Sequence, residues 1–553
     1  MWNYILVSCM VLLVSLFYHC YFKKPISIID YAEQTYDYII IGAGTSGCVI
    51  ASRLSERSNV TVLLVEAGGY FGWWSAIPLA APLLQGSEVD WNYKTESQLY
   101  SSRGLQDRKQ SLPRGKGLGG SGQMNYLVHS FGKPEDYKNW PKGWSHADLA
   151  PYFSRVSDSM KATLTSTEEY LVKAFAAAES TLGSANVTLQ RAASTFSNGV
   201  RWSTYHAYLQ KAWNRRNLHI SMETLATKIE TKDSRATGVE LMFKNGSRGR
   251  IGVNRDVILC AGAFNTPQLL LISGIGPAEE LEKHQIAVVK NITEVGKNLF
   301  DHFNVPIFAN LIAPVSITLK KMQSFRQLFN YIVLGTGLWA TNAVMGLARD
   351  NDSGVILFGM GSTDENLLRK LANIHTETYR SMFPSYNDSA YEGFLYLASC
   401  LKPKSRGTVK LRSRDIRDSP IIDPAYLQHP YDVSCTHRAI KLALRILATR
   451  VFRKFGASVH VPDFQECRDL RQDYRDPRYA ECVMRMGGLT SHHPGGTCRL
   501  GMDPESVVDE YLRVKGIEGL RVIDASIMPA PISGTPNSVV ISMAERASDL
   551  IKN

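Results

Sequence analysis

The sequence predicts an α/β fold divided between two domains, interleaved or consecutive. Three observations lead there. The chain has 553 residues, more than one hydrophobic core ordinarily organises. A complete β-α-β unit stands near its front, with a glycine fingerprint at its first turn. A second glycine cluster follows about fifty residues later and is too regular for a linker.

The first unit reads "YDYIIIGAGTSGCVIASRLSERSNVTVLLVEAGG". Tyr38 to Ile41 is a short continuous apolar run, the pattern of a strand buried in a parallel sheet. Gly42, Gly44 and Gly47 then form G-x-G-x-x-G, and "CVIASRLSE" continues with helical periodicity. A second apolar run, Val60 to Val65, ends at Glu66, some twenty positions beyond the glycines, where an acidic side chain takes ribose hydroxyls. Glycines let the backbone approach a pyrophosphate, and the helix start, with Thr45 and Ser46, supplies donors and positive dipole. This is a dinucleotide site, and NAD and FAD both fit it.

The second cluster, "PRGKGLGGSGQMN" from Pro113 to Asn125, separates the two. Gly119, Gly120 and Ser121 offer backbone donors for a second approach to one extended cofactor, which favours FAD. Near the other end, "SHHPGGTCRLG" places His492 and His493 before a Pro-Gly-Gly turn. From Ser538 the apolar positions Val539, Val540, Met543, Ala544, Ala547 and Leu550 share one helical face.

Composition supports a globular chain, with 44% hydrophobic and 20% charged residues. Sixty-two basic against fifty-one acidic residues give a formal +11, but stretches such as "RSRDIRD" interleave arginine with aspartate and read as solvated faces. No zinc-finger spacing, continuous basic helix or internal repeat occurs, so neither a nucleic-acid partner nor a metal site is expected.

Tyr4 to Phe22 carries no Asp, Glu, Lys or Arg, and Lys23, Lys24 and Pro25 end it. The length suits a signal-anchor or a cleaved signal, and both send the chain into the secretory pathway, to be secreted or membrane-anchored. Six Asn-x-Ser/Thr triplets begin at Asn59, Asn186, Asn245, Asn291, Asn351 and Asn387 and permit glycosylation. Of nine cysteines, Cys9 and Cys20 lie in the leader. The remaining seven, an odd number, argue against a dense disulfide framework. Cys467 and Cys482 flank a polar loop and can pair in an oxidising compartment, whereas Cys48 and Cys260 sit in apolar runs as core residues.

These stretches together resemble the glucose-methanol-choline (GMC) oxidoreductase family over nearly the whole chain after the leader. "GAGTSGCVIASRLSE" and "VLLVEAGG" are similar to its opening, "RGKGLGGSGQMN" to its first signature and "GAFNTPQLLLISGIGP", Gly262 to Pro277, to its second. "VGKNLFDH", Val295 to His302, "HHPGGTCRLG", "GLRVIDASIMP", Gly519 to Pro529, and "GTPNSVVISMAERASDLI" complete the set.

The resemblance implies a Rossmann-like FAD-binding domain interleaved with an α+β, sheet-based substrate domain. Its segments are a signal peptide or signal-anchor over 1–30, FAD-binding parts over 35–150, 215–305 and 488–553, and substrate parts over 151–214 and 306–487. The last FAD-binding part carries the active-site residues. The resemblance also implies oxidation of an alcohol by hydride transfer to flavin, with His493 and Asn537 as the catalytic pair and His492 in a supporting place. Asn125, Asp524 and Ala525 join Gly42, Gly44, Thr45, Ser46, Gly47, Glu66, Gly119 and Ser121 as cofactor-binding residues. In relatives with covalent flavin, a histidine commonly precedes the asparagine of the first signature. Here it is Met124, so non-covalent FAD is expected. His129 stands where many relatives carry an aromatic residue and is read either as part of the flavin environment or as a neutral core histidine.

A histidine titrating near neutrality suits removal of the hydroxyl proton, and Asn537 would donate to the same oxygen while holding the reacting carbon in place. The helix starting beside Asn537 would turn its positive end toward the flavin. Residues 306 to 345 are rich in apolar and aromatic side chains and read as a lid suited to a bulky apolar alcohol, a steroid, ecdysteroid or retinoid. The chain resembles the insect glucose dehydrogenase and ecdysone oxidase group, so sugar or choline remains the alternative. A flavin-containing lyase or a non-catalytic apolar-ligand carrier is the alternative from another class. The electron acceptor, oxygen or a quinone-like molecule, is left open.

Overall fold

The computed structural model describes residues 35–166, 169–182 and 187–552. The leader with Cys9 and Cys20, and the triplet at Asn186, lie outside the described residues. In chain order the elements that build the site are β1 (Thr35–Ile41), α1 (Thr45–Leu54), β2 (Val62–Val65), α2 (His146–Ser159), β3 (Val187–Arg191), β4 (Leu218–Ser221), β5 (Thr224–Lys232), β6 (Arg235–Phe243) and β7 (Arg248–Leu259). Next come α3 (Gly262–Ile272), β8 (Phe303–Asn310), α4 (Phe325–Leu334), β9 (Val344–Asp350), β10 (Ser353–Phe358), α5 (Glu365–Ala372), β11 (Gly393–Cys400), α6 (Pro430–Leu447), β12 (Leu520–Val522) and α7 (Pro536–Lys552).

Seven strands form the first sheet, in the order β4-β2-β1-β7-β6-β5, with β12 also paired to β7. Strand β7 is long enough to fork. Its second half pairs in parallel with β1 and β12, and its first half pairs antiparallel with β6. The expected β-α-β unit is present, with β1 beside β2 in parallel register, although β2 begins at Val62 rather than Val60. All four residues of β2 are buried, as both faces of a parallel sheet require.

The second sheet also has seven strands, in the order Ser458–Val459, β8, β11, β10, β9, β3, with Leu489–Thr490 paired to β8. Helix α6 covers one face, contributing Ala439, Ile440, Leu442, Ala443 and Ile446 to the second core. The other face looks onto the cavity described below. The segment 151–214, expected wholly in the substrate domain, is split between the two cores. Phe153, Val156 and Met160, and again Tyr205, Tyr208, Leu209 and Trp213, pack in the first core. The reason is α7, whose Glu545 and Asp549 take Arg155 and the Tyr152 hydroxyl and draw α2 onto it.

Cys467 and Cys482 are joined as expected. A second disulfide, Cys400 to Cys435, ties the end of β11 to α6 and was not foreseen from spacing. Cys48, Cys260 and Cys498 remain buried thiols, and burial pushes Cys48 up to about 12.

Candidate active site

The β1-α1 turn is shaped by what presses on it. Gly42 has φ +99°, and a Cβ there would stand 2.6 Å from the Cys260 carbonyl. A Cβ on Gly47 would meet the Gly42 carbonyl at 1.9 Å. Gly44 is different: nothing lies within 3.8 Å of its missing Cβ, and it lines the cavity. The second glycine cluster packs directly on this turn. The Gly119 N–H donates to the Ala43 carbonyl at 2.7 Å, and a Cβ on Gly120 would lie 2.7 Å from Gly44 Cα. Two loops expected from sequence to approach one ligand are therefore in contact.

Glu66 is 6% exposed, and its carboxylate accepts the Ala43 N–H at 2.8 Å and the Gly68 N–H at 2.9 Å. Burial pushes its carboxyl above the usual carboxylate range. Asp524 accepts from the Gly262 N–H, the Thr266 hydroxyl and the Ser526 N–H, at 2.8, 2.6 and 2.7 Å. It thereby ties the start of α3 to the turn carrying Ala525. Ser121 Oγ accepts the Gly115 N–H at 3.1 Å and closes the second loop on itself. Ser46 is 2% exposed in the first turn of α1.

Gly42, Gly44, Thr45, Ser46, Glu66, Gly120, Ser121, Asn125, Asp524 and Ala525 line one cavity of about 870 Å³, which also takes in His493, Asn537 and the open face of the second sheet. Gly47 and Gly119, expected to bind the cofactor, are absent from that lining and instead let the two turns pack on Gly42 and Ala43. An extended dinucleotide fits this cradle. Gly44 leaves its backbone open, and the buried Glu66 carboxylate, His493 and Asn537 line the same cavity. In such a site FAD would be held by the two glycine loops, Thr45, Ser46, Glu66, Ser121, Asn125, Asp524 and Ala525. Met124 is packed with Phe71 and Leu84 and offers no ring nitrogen for a covalent bond.

The orientation of the polar groups around Asn537 and His493 follows from their partners. Thr45 Oγ1 donates to Asn537 Oδ1 at 3.1 Å, which leaves the Asn537 amide N–H groups as donors. Asn537 lies in the first turn of α7, which starts at Pro536, two residues earlier than its apolar pattern suggests. Asn125 Oδ1 accepts from the Leu127 N–H at 3.0 Å and from Arg201 Nη1 at 2.9 Å, so its amide nitrogen is likewise free to donate. Arg201 is fully buried, and burial pulls it down to about 9.

His493 is positioned by a strip of chain running antiparallel to the residues before and within β8. Thr490 pairs with Phe303, the Ser491 N–H donates to the His302 carbonyl at 2.8 Å, and Gly495 exchanges hydrogen bonds with Phe300. The Pro-Gly-Gly turn needs its glycines because Phe300 lies against both: a Cβ on Gly495 or Gly496 would come within 2.8 Å of its ring. Asp301 locks the bend. It accepts the His493 backbone N–H at 2.7 Å and the Tyr426 and Thr490 hydroxyls, each at 2.5 Å.

His302 and His493 lie side by side, Nδ1 to Nδ1 at 3.0 Å. His302 Nε2 is 2.8 Å from the Leu401 carbonyl, which can only accept. The proton of neutral His302 is therefore on Nε2, its Nδ1 accepts, and His493 must donate from Nδ1. That leaves His493 Nε2 bare, an acceptor for a proton from the cavity. Burial, with His302, His492 and Arg114 nearby, holds His493 well below the ordinary histidine value, so the ring is neutral at neutral pH.

His492 has φ +60°, and its carbonyl accepts from Arg114 Nη2 at 2.9 Å, a supporting role in the bend. His129 is 8% exposed, bonded to Ser538 Oγ at 2.9 Å and Ser157 Oγ at 3.3 Å, and burial pushes it down to about 4. It is a neutral core histidine. The residues that sequence reading missed are Asp301, His302, Leu401 and Arg201. The first two stand in the quoted "VGKNLFDH", where the adjacent Asp-His pair was the available signal; the other two act through burial and a backbone carbonyl, which leave no mark in a motif.

Beyond the two histidines the cavity is walled by alternate residues of the second sheet, Pro306, Ile356, Phe358, Leu395 and Leu397 among them. Helix α5 adds Leu367, Leu368 and Leu371, which sequence reading did not single out. From residues 306–345, expected as a lid, Pro306, Leu319, Met322, Trp339, Asn342 and Val344 line the cavity but α4 does not.

A forked parallel sheet with paired glycine loops, leading to a neutral histidine and an amide donor, defines a dinucleotide-dependent oxidoreductase. The comparisons make this particular. Two GMC oxidoreductase family models match residues 36–304 and 403–544, and the chain belongs to that family, as an FAD-dependent oxidoreductase. It is 36% identical over 540 residues to Neither inactivation nor afterpotential protein G of Drosophila melanogaster, covering 93% of this chain and 90% of that one. It is 31% identical over 563 residues to the ecdysone oxidase of Spodoptera littoralis, covering 94% and 91%. Among solved structures, pyridoxine 4-oxidase from Mesorbium loti superposes with a TM-score of 0.76 at 25% identity, over 93% of this chain and 98% of that one. A formate oxidase of Aspergillus oryzae shares the fold with a TM-score of 0.80 over 94% and 99% of the two chains.

Proposed function

We propose that this protein oxidises the CH-OH group of a bulky apolar alcohol, with His493 as the base and Asn537 as the donor that holds the alcohol oxygen. The observation that carries the reading is the bare Nε2 of His493, left without a proton by the chain from the Leu401 carbonyl through His302. His493 Nε2 takes the hydroxyl proton as the carbinol C–H bond breaks. Bound FAD supplies the two-electron acceptor for the hydride, and a carbonyl product results. The Asn537 N–H groups hold the oxygen while charge builds on it, and the fixed bend keeps His493 from drifting out of reach.

The substrate class rests on the apolar wall of the second sheet and α5. A sugar would need a partner for each of its hydroxyls, and along this wall Asn304, Asn342, Thr363 and Asp364 are outnumbered by apolar side chains. A steroid, ecdysteroid or retinoid alcohol suits such a wall better than a sugar or choline. The name ecdysone oxidase carried by two relatives agrees with the apolar class, and the glucose and choline dehydrogenases among the relatives keep the alternative in the test.

The FAD is held without a covalent bond, as Met124 supports. The first sheet and residues 491–553 act as the FAD-binding part, and the second sheet, with Leu489–Thr490 paired to β8, as the substrate part. Passage through the secretory pathway is supported by two disulfides, which persist in oxidising compartments. Among the described residues no helix is long and apolar enough to cross a membrane, so a tether would fall to residues 4–22.

The test is an anaerobic titration of the yellow protein with steroid, retinoid, sugar and choline alcohols, followed by the flavin absorbance. Bleaching by the steroid or retinoid set alone is the expected result. Bleaching by a sugar or choline would overturn the substrate class. A yellow protein that none of them bleaches would overturn the oxidative reading in favour of a lyase or carrier.

A further inference from the structure

Helix α4 carries an apolar stripe that faces outward. Phe325, Leu328, Phe329 and Val333 recur at i, i+3, i+4 and i+8, part of the spacing that ordinarily marks a buried face, while Ile332 turns in against Ile77, Ala80 and Tyr331. Here Phe325 is 75% exposed, and Leu328, Phe329 and Val333 are each nearly half exposed. The helix is held from the opposite side by Tyr331, which is buried with Ile77 and Ala80. Trp73 and Trp74 extend the same surface, ring on ring at 3.7 Å and both more than 40% exposed.

This surface is continuous with the cavity. Leu83, itself exposed, and Met322 and Trp339 line the cavity mouth, and Trp339 packs on the cluster that anchors α4. The segments that carry α4 and the tryptophan pair hold no acidic side chain. No charged residue lies between Glu66 and Glu88, and no acidic residue between Asp301 and Asp350. Lys320 and Arg326 are exposed beside the stripe, while Lys321 is paired with Glu392 at 2.7 Å. On neighbouring segments Glu365 is taken up by Arg369 and Arg380, while the exposed Asp364 and Asp388 accept the backbone N–H groups of Leu367 and Ala390.

We propose that α4, with Trp73, Trp74 and Leu83, docks on the surface of an anionic lipid bilayer. Long apolar side chains, a tryptophan pair and the exposed cations Lys320 and Arg326 are what an interfacial helix presents to headgroups and upper acyl chains. Docked this way, the cavity mouth opens against the lipid, and an apolar alcohol dissolved in the bilayer enters without crossing water. The docking claim stands on exposure and charge, and its test needs no alcohol, so its failure would leave the catalytic reading intact.

The experiment is hydrogen–deuterium exchange on the full chain, with and without vesicles of phosphatidylcholine containing phosphatidylserine. Peptides covering 71–84 and 319–340 are expected to exchange several-fold more slowly with vesicles, an effect weakened by salt. Phe325→Ser combined with Phe329→Ser should abolish that local protection, whereas Phe325→Trp combined with Phe329→Trp should retain it and so control for folding. Vesicle-dependent protection confined to the leader would overturn the proposal. Protection that rises with protein concentration in the absence of lipid would also overturn it, and would identify a second copy as the occupant.

Discussion

The Leu401 carbonyl decides the protonation of His493 without touching it. His302 Nε2 lies 2.8 Å from that carbonyl, and His302 Nδ1 lies 3.0 Å from His493 Nδ1. Removing the middle ring frees His493 to turn and to change tautomer. For His302→Leu we expect flavin reduction to slow by up to about a hundredfold, the penalty for a misplaced reacting group, with little change in KM. His302→Asn, whose amide oxygen can still accept from His493 Nδ1, should recover part of the rate. Stopped-flow reduction across pH distinguishes the two, and a wild-type profile for His302→Leu would remove the tautomer argument.

His493→Ala should slow the reductive half-reaction by about a hundredfold to ten-thousandfold, the range for a general base. The flavin spectrum should be unchanged. Because His493 is held below the ordinary value of 6.5, the wild-type rate should fall on the acid side only below pH 6.5. Protonation there occupies Nε2. An acid limb above pH 7 would contradict the assignment.

Glu66 spends both carboxylate oxygens on the backbone N–H groups of Ala43 and Gly68. In Glu66→Gln one of those donors faces an amide NH2, at a cost of about 1–3 kcal/mol for an unsatisfied buried group. FAD retention should weaken accordingly, read as faster appearance of free-flavin fluorescence on dilution. Unaltered retention would show that the loop, not the carboxylate, holds the ribose end.

His206 is buried and pushed down to about 3, and its Nδ1 accepts from the Ser203 N–H at 3.3 Å. Above pH 6.5 the ring is neutral folded and unfolded. As pH falls below 6.5 the unfolded chain takes a proton that the fold refuses, so stability is lost toward pH 3. His206→Asn should flatten the pH dependence of stability between pH 6 and 4 by on the order of 1.4 kcal/mol per pH unit. Urea unfolding at three pH values measures it, and an unchanged slope would mean that the ring charges in place.

The Cys400–Cys435 bond closes a loop with a sequence separation of 35. Cys435→Ser should lower stability by about 3–4 kcal/mol on the loop-entropy account. Mass spectrometry of the unreduced protein should find the bond, and free thiols at both positions would refute it.

The nucleotide half of this protein was legible in its sequence because its determinants are local. Gly42, Gly44, Gly47 and Glu66 lie within one β-α-β unit, where backbone sterics and strand alternation act over a few residues. The family motifs likewise carried His493 and Asn537. Tertiary structure decided the rest. His302 and His493 are 191 positions apart and meet only because residues 490–495 run antiparallel to 300–303. The neutrality of His493 comes from burial by elements far along the chain. The apolar stripe of α4 has a periodicity that says nothing about which way it faces. Periodicity records that a face is apolar, and only the packing of Tyr331 against Ile77 and Ala80 turned that face outward. Charge state, tautomer and exposure are set by whatever the folded chain brings alongside, and that information is spread over the whole molecule.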